Sequence, residues 1–196
     1  MINLTESLFL GKGGERNCYL HPQDDRKVIK IIHQKGQHNN QNTLEYDYYQ
    51  FLKQKKINFT GITKCFGWVT TNLGKGLVFE RIVNYDDSMI KTFSHYAKHN
   101  IFEIEYDLKL IENLKQYVFE NQIVFIDVSL SNIFCQKISE NNYRLIIFDG
   151  LGGRRPGFKS WLYMYSKYFR MYKIKKQWKK FLQNYYYEKS LKIELS

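Results

Sequence analysis

The sequence predicts an α+β fold: a five-stranded antiparallel sheet with one helix, followed by a mainly helical part. Short β-branched and aromatic runs separated by turn residues are concentrated in residues 1–83. Longer segments with apolar residues at helical spacing lie mostly in residues 84–196. A chain of 196 residues can bury a sizeable core. We therefore expect two lobes, divided after residue 83, that together form one domain.

The first lobe contains five apolar runs of strand length. A helix is expected over Thr43–Lys55, after the third strand, because Leu44, Tyr48 and Leu52 recur at helical spacing. Thr43 could cap the start of this helix. The strands are expected at Leu8–Leu10, Asn17–Leu20, Arg26–Ile32, Ile62–Thr70 and Leu77–Val83.

The second lobe is expected to be helical over Asp86–Lys98, Glu103–Phe119 and Phe158–Glu188. Between the last two helices, Ile123–Gly153 consists of three apolar runs with polar residues at their edges. This stretch is the strongest candidate for a site.

Three polar residues mark the edges of these runs. Asp127 ends the first run, Asn132 precedes the second, and Asp149 ends the third. They could meet in one cleft if the second and third runs form a hairpin. Two carboxylates and an amide oxygen suit Mg²⁺ held together with substrate phosphates. A carboxylate could also orient a hydroxyl group.

A glycine-rich turn, Gly11-Lys12-Gly13-Gly14, separates the first two strands. Glycines let a backbone approach phosphate closely and expose its N–H groups. A dinucleotide-binding turn would need a helix directly after the glycines, whereas a strand follows here. Most glycine-rich hairpins are merely structural, so the turn alone indicates little.

Two charged residues of the first lobe lie among apolar neighbours. Lys30 occurs within the strand RKVIKII, where it either faces solvent or reaches into a cleft; taken alone, this segment favours the solvent face. Glu45 lies near the start of the predicted helix, where it could point inward or simply favour the helix N-terminus.

The net charge of +11 favours polyanionic partners: nucleotides, nucleic acid or an anionic lipid surface. Positive charge is concentrated after residue 153, where lysines alternate with aromatic residues. These helices are expected to pack their aromatic side chains on the core, with peripheral contact to an anionic membrane as the second interpretation. The sequence has no recognised nucleic-acid motif, so nucleic acid is not the expected partner.

A cytoplasmic location is expected, with contact at the inner membrane as a further option. No apolar run reaches the ~20 residues of a membrane span, and the first residues lack the features of a secretory signal. Cys18, Cys65 and Cys135 lie in separate apolar runs and are expected to be buried, reduced thiols.

Taken in order, these features resemble the protein-kinase-like fold with two lobes and a reduced helical C-terminal lobe. Each feature is weak alone, but their joint order along the chain is specific. The matching segments are Gly11–Gly13 for the glycine-rich loop, Val28–Lys30 for V-A-I-K, Glu45 for the helix glutamate, Phe79–Ile82 for the hinge, Asp127–Asn132 for D-x-x-x-x-N, and Asp149–Gly150 for D-F-G.

Within this fold, the sequence resembles the YrbL family, a small bacterial family linked to the PhoP regulatory network. The resemblance covers nearly the whole chain, including its aromatic C-terminal helices. The segments that carry it are Leu10–Gly13, Arg16–Pro22, Ile29–Lys30, Ile126–Asp127, Asn132–Glu140 and Phe148–Gly152.

The resemblance implies a binding site for ATP. The backbone N–H groups of Gly11–Gly14 would cover the phosphates, and the hinge residues Glu80 and Ile82 would contact the nucleotide. Lys30 would neutralise the α- and β-phosphates and pair with Glu45.

The resemblance also implies catalytic and metal-binding roles. Asp127 would orient the attacking hydroxyl group or accept its proton, and Lys30 would assist by stabilising charge. Asn132 and Asp149 would hold Mg²⁺.

Several residues depart from the kinase pattern. Phe125 stands where kinases have a histidine two residues before Asp127, and Ser129 stands at the position of a lysine that commonly contacts the transferred phosphate. Arg16 stands at the third loop glycine and could face phosphate or solvent. The role of the missing lysine could pass to Lys12, Arg154 or Arg155.

The expected function is an ATP-dependent phosphotransferase. Residues 152–157 are too few to dock a peptide, so the expected acceptor is a small hydroxylated molecule such as a sugar or lipid-linked sugar. The alternative is a catalytically weak pseudokinase or regulatory nucleotide-binding module in an envelope-stress or PhoP-type network.

Overall fold

The computed structural model describes residues 1–33, 41–153 and 157–190. Its first part contains the strands β1 (Phe9–Lys12), β2 (Arg16–Leu20), β3 (Lys27–Ile32), β4 (Cys65–Thr71) and β5 (Gly74–Glu80). They form one antiparallel sheet in the order β1-β2-β3-β5-β4, as predicted in number and direction. The helix α1, Gln41–Gln54, contacts β3, β4 and β5.

The bounds of several elements in this part differ from the prediction, and two of the differences have a visible cause. The β4–β5 hairpin turns at Asn72 and Leu73, because Gly74 and Gly76 join the ladder and bring β5 forward by three residues. Space is tight at Gly76, where an added Cβ would stand 2.5 Å from the side chain of Ile29. The helix α1 begins at Gln41, so Thr43 lies inside its first turn and does not cap it.

Lys30 lies on the face of the sheet that packs against the rest of the protein. It stands opposite Cys18 on β2 and opposite Leu77 on β5, and opposed residues of an antiparallel pair share a face. Lys30 is only 7% exposed. The solvent-face interpretation of Lys30 is therefore wrong, because tertiary packing and not the local pattern decides which face is covered.

The second part contains a small sheet and four helices. Strands β6 (Lys91–Thr92), β7 (Ile133–Ser139) and β8 (Asn142–Ile147) form an antiparallel sheet in sequence order. The helices are α2 (Phe93–Lys98), α3 (Ile104–Glu120), α4 (Phe158–Tyr165) and α5 (Lys167–Ser190).

Two predicted helices are shorter or interrupted. The helix predicted from Asp86 begins only at Phe93, because Lys91 and Thr92 pair with β7. The helix predicted over Phe158–Glu188 is broken at Ser166, whose backbone is extended and whose Oγ accepts a hydrogen bond from the N–H of Phe169. Hydroxyl side chains commonly end and restart helices in this way.

One continuous core joins the two parts and places the site at their junction. It includes residues of α1, β5, α3 and α5, and its largest fully buried side chains include Tyr49, Phe79 and Tyr185. Two further ties hold the junction: the N–H of Val124 donates to Tyr48 Oη at 2.7 Å, and Ile62 forms a bridge with Ile147 of β8.

Candidate functional site

The hairpin β7–β8 brings the predicted acidic and amide residues together. The N–H groups of Ile126 and Asp127 both donate to the carbonyl of Gly150, at 2.8 and 3.1 Å, and Asn132 Nδ2 donates to the carbonyl of Asp127 at 2.9 Å. The N–H of Phe148 donates to the carbonyl of Asn132 at 3.0 Å. Asp127, Asn132 and Asp149 therefore lie at one end of the hairpin, in the arrangement that the sequence predicts.

The last helix supports this loop from behind. Gln177 on α5 donates to the carbonyl of Ile126, and Asn184 Nδ2 donates to the carbonyl of Val128 at 2.9 Å. These two carbonyls flank Asp127. The sequence alone did not indicate this support, although two amide residues spaced at helical intervals on an otherwise aromatic and basic helix are its visible trace.

Lys30 reaches from the sheet to the loop that carries Asp149. Its Nζ donates to the carbonyl of Phe148 at 2.8 Å and lies 3.7 Å from Asp149 Oδ2. The ammonium also lies 4.4 Å from the ring centre of Phe79, close enough for a cation–π contact. Lys30 therefore lies beside Asp149, a pairing that the sequence did not predict.

Arg16 occupies the centre of the same cluster and is 5% exposed. Its Nη1 donates to Asn42 Oδ1 at 3.1 Å and to Glu45 Oε2. Its Nη2 donates to Asp149 Oδ1 at 2.6 Å. Arg16 thus faces neither solvent nor an open phosphate site; it ties β2 to α1 and to the Asp149 loop.

The structure changes the pairing of Glu45. The resemblance implied an ion pair with Lys30, but in the described part of the chain Glu45 pairs with Arg16 and Lys30 pairs with Asp149. The other carboxylate oxygen of Glu45, Oε1, is buried without a hydrogen-bond partner among the described residues. Guanidinium is a flat fork that can bridge two carboxylates, whereas an ammonium is a point charge, which explains why Arg16 holds both Glu45 and Asp149.

The cluster shifts the pKa values of its members. Burial alone would raise the pKa of Asp149, but Lys30 and Arg16 outweigh it and hold that pKa far below its usual range. Burial likewise opposes the charge of Arg16, and the carboxylates of Glu45 and Asp149 outweigh it, so the pKa of Arg16 is raised. Both groups are therefore charged over the whole range in which the protein would be studied.

The glycine-rich turn lies at the edge of this cluster. The N–H of Gly13 donates to the carbonyl of Arg16 at 2.7 Å, which closes the turn. An added Cβ would meet nothing within 4 Å at Gly11 or Gly14. Lys12 is exposed at the tip of the hairpin. The turn thus has free space beside Gly11 and Gly14.

The hinge residues take positions near the sheet edge. Ile82 is buried, and Glu80 Oε2 accepts a hydrogen bond from the N–H of Lys64 at 3.2 Å. Together with Ile62 and Ile146, Glu80 and Ile82 line a cavity of about 160 Å³. Their contact with a nucleotide stays a prediction.

Two aromatic residues missed by the sequence reasoning lie beside the predicted polar ones. The rings of Phe134 and Phe148 stack with their centres 3.9 Å apart. Phe134 follows Asn132 closely, and Phe148 directly precedes Asp149. Aromatic residues adjacent to two predicted ligands were the signal available in the sequence.

Asn132 and Asp149 fit Mg²⁺ in the type of their donor atoms. Asn132 donates through Nδ2, which leaves its Oδ1 as an acceptor for a cation. Asp149 offers a carboxylate, but Arg16 and the N–H of Gly150 bind its Oδ1 and Lys30 faces its Oδ2. Within residues 1–33, 41–153 and 157–190, no group of three His, Cys, Asp or Glu side chains could hold a metal.

A solved structure with a similar backbone, that of Rad53, identifies the fold. The crystal structure of Rad53 1–466 in complex with AMP-PNP matches with a TM-score of 0.55 and 13% identity, over 88% of this chain and 45% of that one. The PknI kinase domain of Mycobacterium tuberculosis matches with a TM-score of 0.45 and 11% identity, over 72% and 56%. This chain therefore spans less than half of the Rad53 chain. The fold is kinase-like, as the order of motifs predicts.

Relatives and a family model agree over most of the sequence. The uncharacterized protein YrbL of Escherichia coli (strain K12) is 31% identical over 187 residues, which cover 93% of this chain and 87% of YrbL. The YrbL of Shigella flexneri matches to the same extent. A model of the family described as PhoP regulatory network protein YrbL matches residues 2–186. The chain belongs to the YrbL family.

Proposed function

We propose that this YrbL-family protein is an ATP-dependent phosphotransferase that acts on a hydroxyl group of a small or lipid-linked, sugar-type acceptor. The observation that carries the proposal is the convergence of Lys30, Asp127, Asn132 and Asp149 around the segment Phe148–Gly150. These residues come from segments about a hundred positions apart, and packing or strand pairing alone does not require their side-chain types.

Each of these residues has a task in phosphoryl transfer. The backbone N–H groups of Gly11–Gly14, apart from that of Gly13, which donates to the carbonyl of Arg16, would receive phosphate oxygens, and Lys30 would offset their charge. Asp127 would orient the acceptor hydroxyl group towards the phosphorus and take its proton. Asn132 and Asp149 would hold Mg²⁺, which when bound supplies neutralisation of the phosphate charge.

The stacked rings of Phe134 and Phe148 support a site for the base of the nucleotide. Aromatic faces stack on bases without regard to their hydrogen-bonding pattern, and such contacts contribute about 1–3 kcal/mol per base in other nucleotide-binding proteins. Cys18, half-buried opposite Lys30, would stand over the same space.

The preference for a small acceptor rests on the short segment that follows Asp149. Only the residues from Gly150 to Gly157 separate it from α4, so a peptide-docking surface of the protein-kinase type has little chain to be built from. Arg154 and Arg155, which could replace the missing loop lysine, lie outside the described residues.

A regulatory nucleotide-binding module is the second candidate, favoured by one specific observation. Phe125, at the place of the kinase loop histidine, is buried and forms a bridge with Leu151. At this position a buried phenylalanine with backbone pairing to Leu151 thus takes the place of the kinase histidine. This arrangement would preserve nucleotide binding while giving up transfer.

Thermal unfolding with ligands tests the nucleotide site. Mg·ATP is expected to raise the Tm more than ATP with a chelator, because a ligand that binds only the folded state stabilises it. Lys30→Ala and Asp149→Ala should lose this gain. Lys115→Ala, which removes an exposed lysine paired with Glu112 on α3, should keep it. Equal Tm values with and without Mg·ATP in the unaltered protein would rule out the nucleotide site.

Product formation separates the two candidates. Asp127→Ala should retain the Mg·ATP-dependent rise in Tm but lose transfer of labelled γ-phosphate to a panel of sugars and lipid-linked sugars. If the unaltered protein binds Mg·ATP and phosphorylates none of these acceptors, the regulatory module replaces the phosphotransferase as the function.

A further inference from the structure

The buried guanidinium of Arg16 stands where a glycine would be expected and binds the carboxylate that would serve a metal. It is held from β2 and reaches Asn42 and Glu45 on α1 as well as Asp149, 133 residues away in the sequence. No part of its charge is directed to solvent. This central position suggests a role for Arg16 in binding ligands in the cleft.

The charges around Asp149 balance without a metal ion. Arg16 and Lys30 bring two positive charges, and Glu45 and Asp149 bring two negative ones. Both oxygens of Asp149 face cations: Oδ1 binds Arg16 at 2.6 Å and Oδ2 lies 3.7 Å from Lys30. A divalent ion approaching this carboxylate would have to displace one of them and would meet their repulsion.

We infer that Arg16 is a built-in counter-cation that caps Asp149 until the phosphates of a nucleotide take over its guanidinium, so that the cleft accepts a divalent cation only together with nucleotide. This inference rests on the proposed nucleotide site and adds an order of binding to it.

Two observations support an exchange of partners. Arg16 begins the strand that follows the glycine-rich turn, so a phosphate held by the turn would lie beside its guanidinium, which binds phosphate through two parallel hydrogen bonds. Glu45 Oε1 is buried without a partner among the described residues and can accept a hydrogen bond from Lys30 once that ammonium leaves Asp149. The rearranged cluster thus has acceptors for both cations.

Binding of Mn²⁺ in the absence of nucleotide tests the inference. Arg16→Gln should bind Mn²⁺ roughly tenfold more tightly than the unaltered protein, because one positive charge next to the binding carboxylate is removed. Titration followed by calorimetry, or by the electron paramagnetic resonance of free Mn²⁺, measures the affinity. Adding Asp149→Asn to Arg16→Gln should abolish the gain.

Two further variants separate the cap from its side effects. Arg16→Gln alone leaves the negative charge of the buried Glu45 without a partner and could unfold the protein. The double variant Arg16→Gln with Glu45→Gln restores the charge balance. It should still bind Mn²⁺ more tightly than the unaltered protein. Arg144→Gln, which loses a contact only with Gln136 in the described structure, removes the same charge elsewhere and should change nothing.

The order of binding has its own readout. Adding a non-hydrolysable ATP analogue should strengthen Mn²⁺ binding to the unaltered protein far more than to Arg16→Gln. The inference is overturned if the unaltered protein binds Mn²⁺ alone as tightly as Arg16→Gln does, or if the charge-balanced double variant loses the gain. The Mn²⁺ titration without nucleotide tests whether Arg16 blocks Asp149 even if the protein binds no ATP. Failure of this inference can therefore be distinguished from failure of the proposed nucleotide site.

Discussion

Gly150 fixes how closely the two loops of the site approach each other. Its φ is +82°, and an added Cβ would stand 2.8 Å from Asp127 Cβ and 2.9 Å from the carbonyl oxygen of Asp127. Gly150→Ala is therefore expected to lower the free energy of unfolding by about 1–3 kcal/mol and to displace Asp127. Urea denaturation measures the first effect.

Gly67→Ala provides the matched control for this prediction. Gly67 also has a positive φ, +107°, but an added Cβ there meets nothing within 4 Å. Gly67→Ala should lower the free energy of unfolding only by the cost of the backbone conformation, and phosphate transfer should be retained. Equal loss of transfer in both variants would mean that Gly150 acts only through backbone strain.

The glycine-rich turn allows a substitution that separates binding from folding. Gly14→Ala has open space around the added Cβ, so the free energy of unfolding should stay within about 0.5 kcal/mol. Its methyl group would instead crowd a phosphate at the turn, and the affinity for Mg·ATP, measured by calorimetry, should fall. An unchanged affinity would show that phosphates do not approach this turn.

Individual residues of the site were only partly predictable from the sequence. Asp127, Asn132 and Asp149 could be predicted because each ends or begins an apolar run, a property that short-range patterns preserve. The pairing of Arg16 with Glu45 could not, since two cations and two carboxylates can be combined in several ways and the choice depends on side-chain geometry across the cleft. The spacing of Arg16 and Cys18, which puts both on one face of β2, was the one local sign.

At the scale of elements, the end of α5 is fastened by a buried ion pair. Asp107 on α3 is completely buried, and its Oδ2 accepts hydrogen bonds from Lys189 Nζ at 2.6 Å and from Tyr185 Oη at 3.0 Å. Lys189→Met should lower the free energy of unfolding by about 3–5 kcal/mol, because it leaves a buried charge without its partner. Thermal or urea unfolding checks this.

A second substitution shows whether the cost comes from the unpaired charge. Adding Asp107→Asn to Lys189→Met removes the buried charge and keeps an acceptor for Tyr185, so much of the stability should return. If the double variant is as unstable as Lys189→Met, the lysine acts by packing and not by its charge.

Helices and strands were predicted more accurately in their order than in their number and extent. The continuous aromatic periodicity from Phe158 onward gave no sign of the break at Ser166, which a single hydroxyl hydrogen bond stabilises. The short strand Lys91–Thr92 lies within a segment that was predicted to be helical. Two residues are too few to show the alternation of a strand, and they form a strand only because they pair with β7.

At the scale of the whole molecule, basic and aromatic groups share the exposed surfaces of α4 and α5. Phe158, Trp161 and Tyr165 are exposed and stack in series along α4. Lys175 and Lys179 are exposed on α5. Among the described residues, no helix is both long and apolar enough to cross a bilayer. Peripheral contact of these surfaces with anionic lipid stays a prediction from the sequence.

Sedimentation with vesicles tests this contact. The protein is expected to bind vesicles rich in phosphatidylglycerol and not to bind vesicles of phosphatidylcholine. Added salt should release it from the vesicles, because salt screens the charges. Lys175→Glu with Lys179→Glu should weaken binding strongly. Lys109→Glu with Lys115→Glu on α3 makes the same change in charge and should not weaken binding. Equal weakening by both pairs would mean that binding depends on the net charge of the protein and not on α5.

The two hydrogen bonds from α5 to the backbone beside Asp127 have a consequence for biosynthesis. Gln177 and Asn184 follow Asp127 by 50 or more positions in the chain, so a ribosome has made all the other residues of the candidate site before it makes the two that support the loop around Asp127. The loop around Asp127 is therefore expected to be poorly ordered on the nascent chain. Only when α5 has left the exit tunnel and docked would the loop around Asp127 take its final shape.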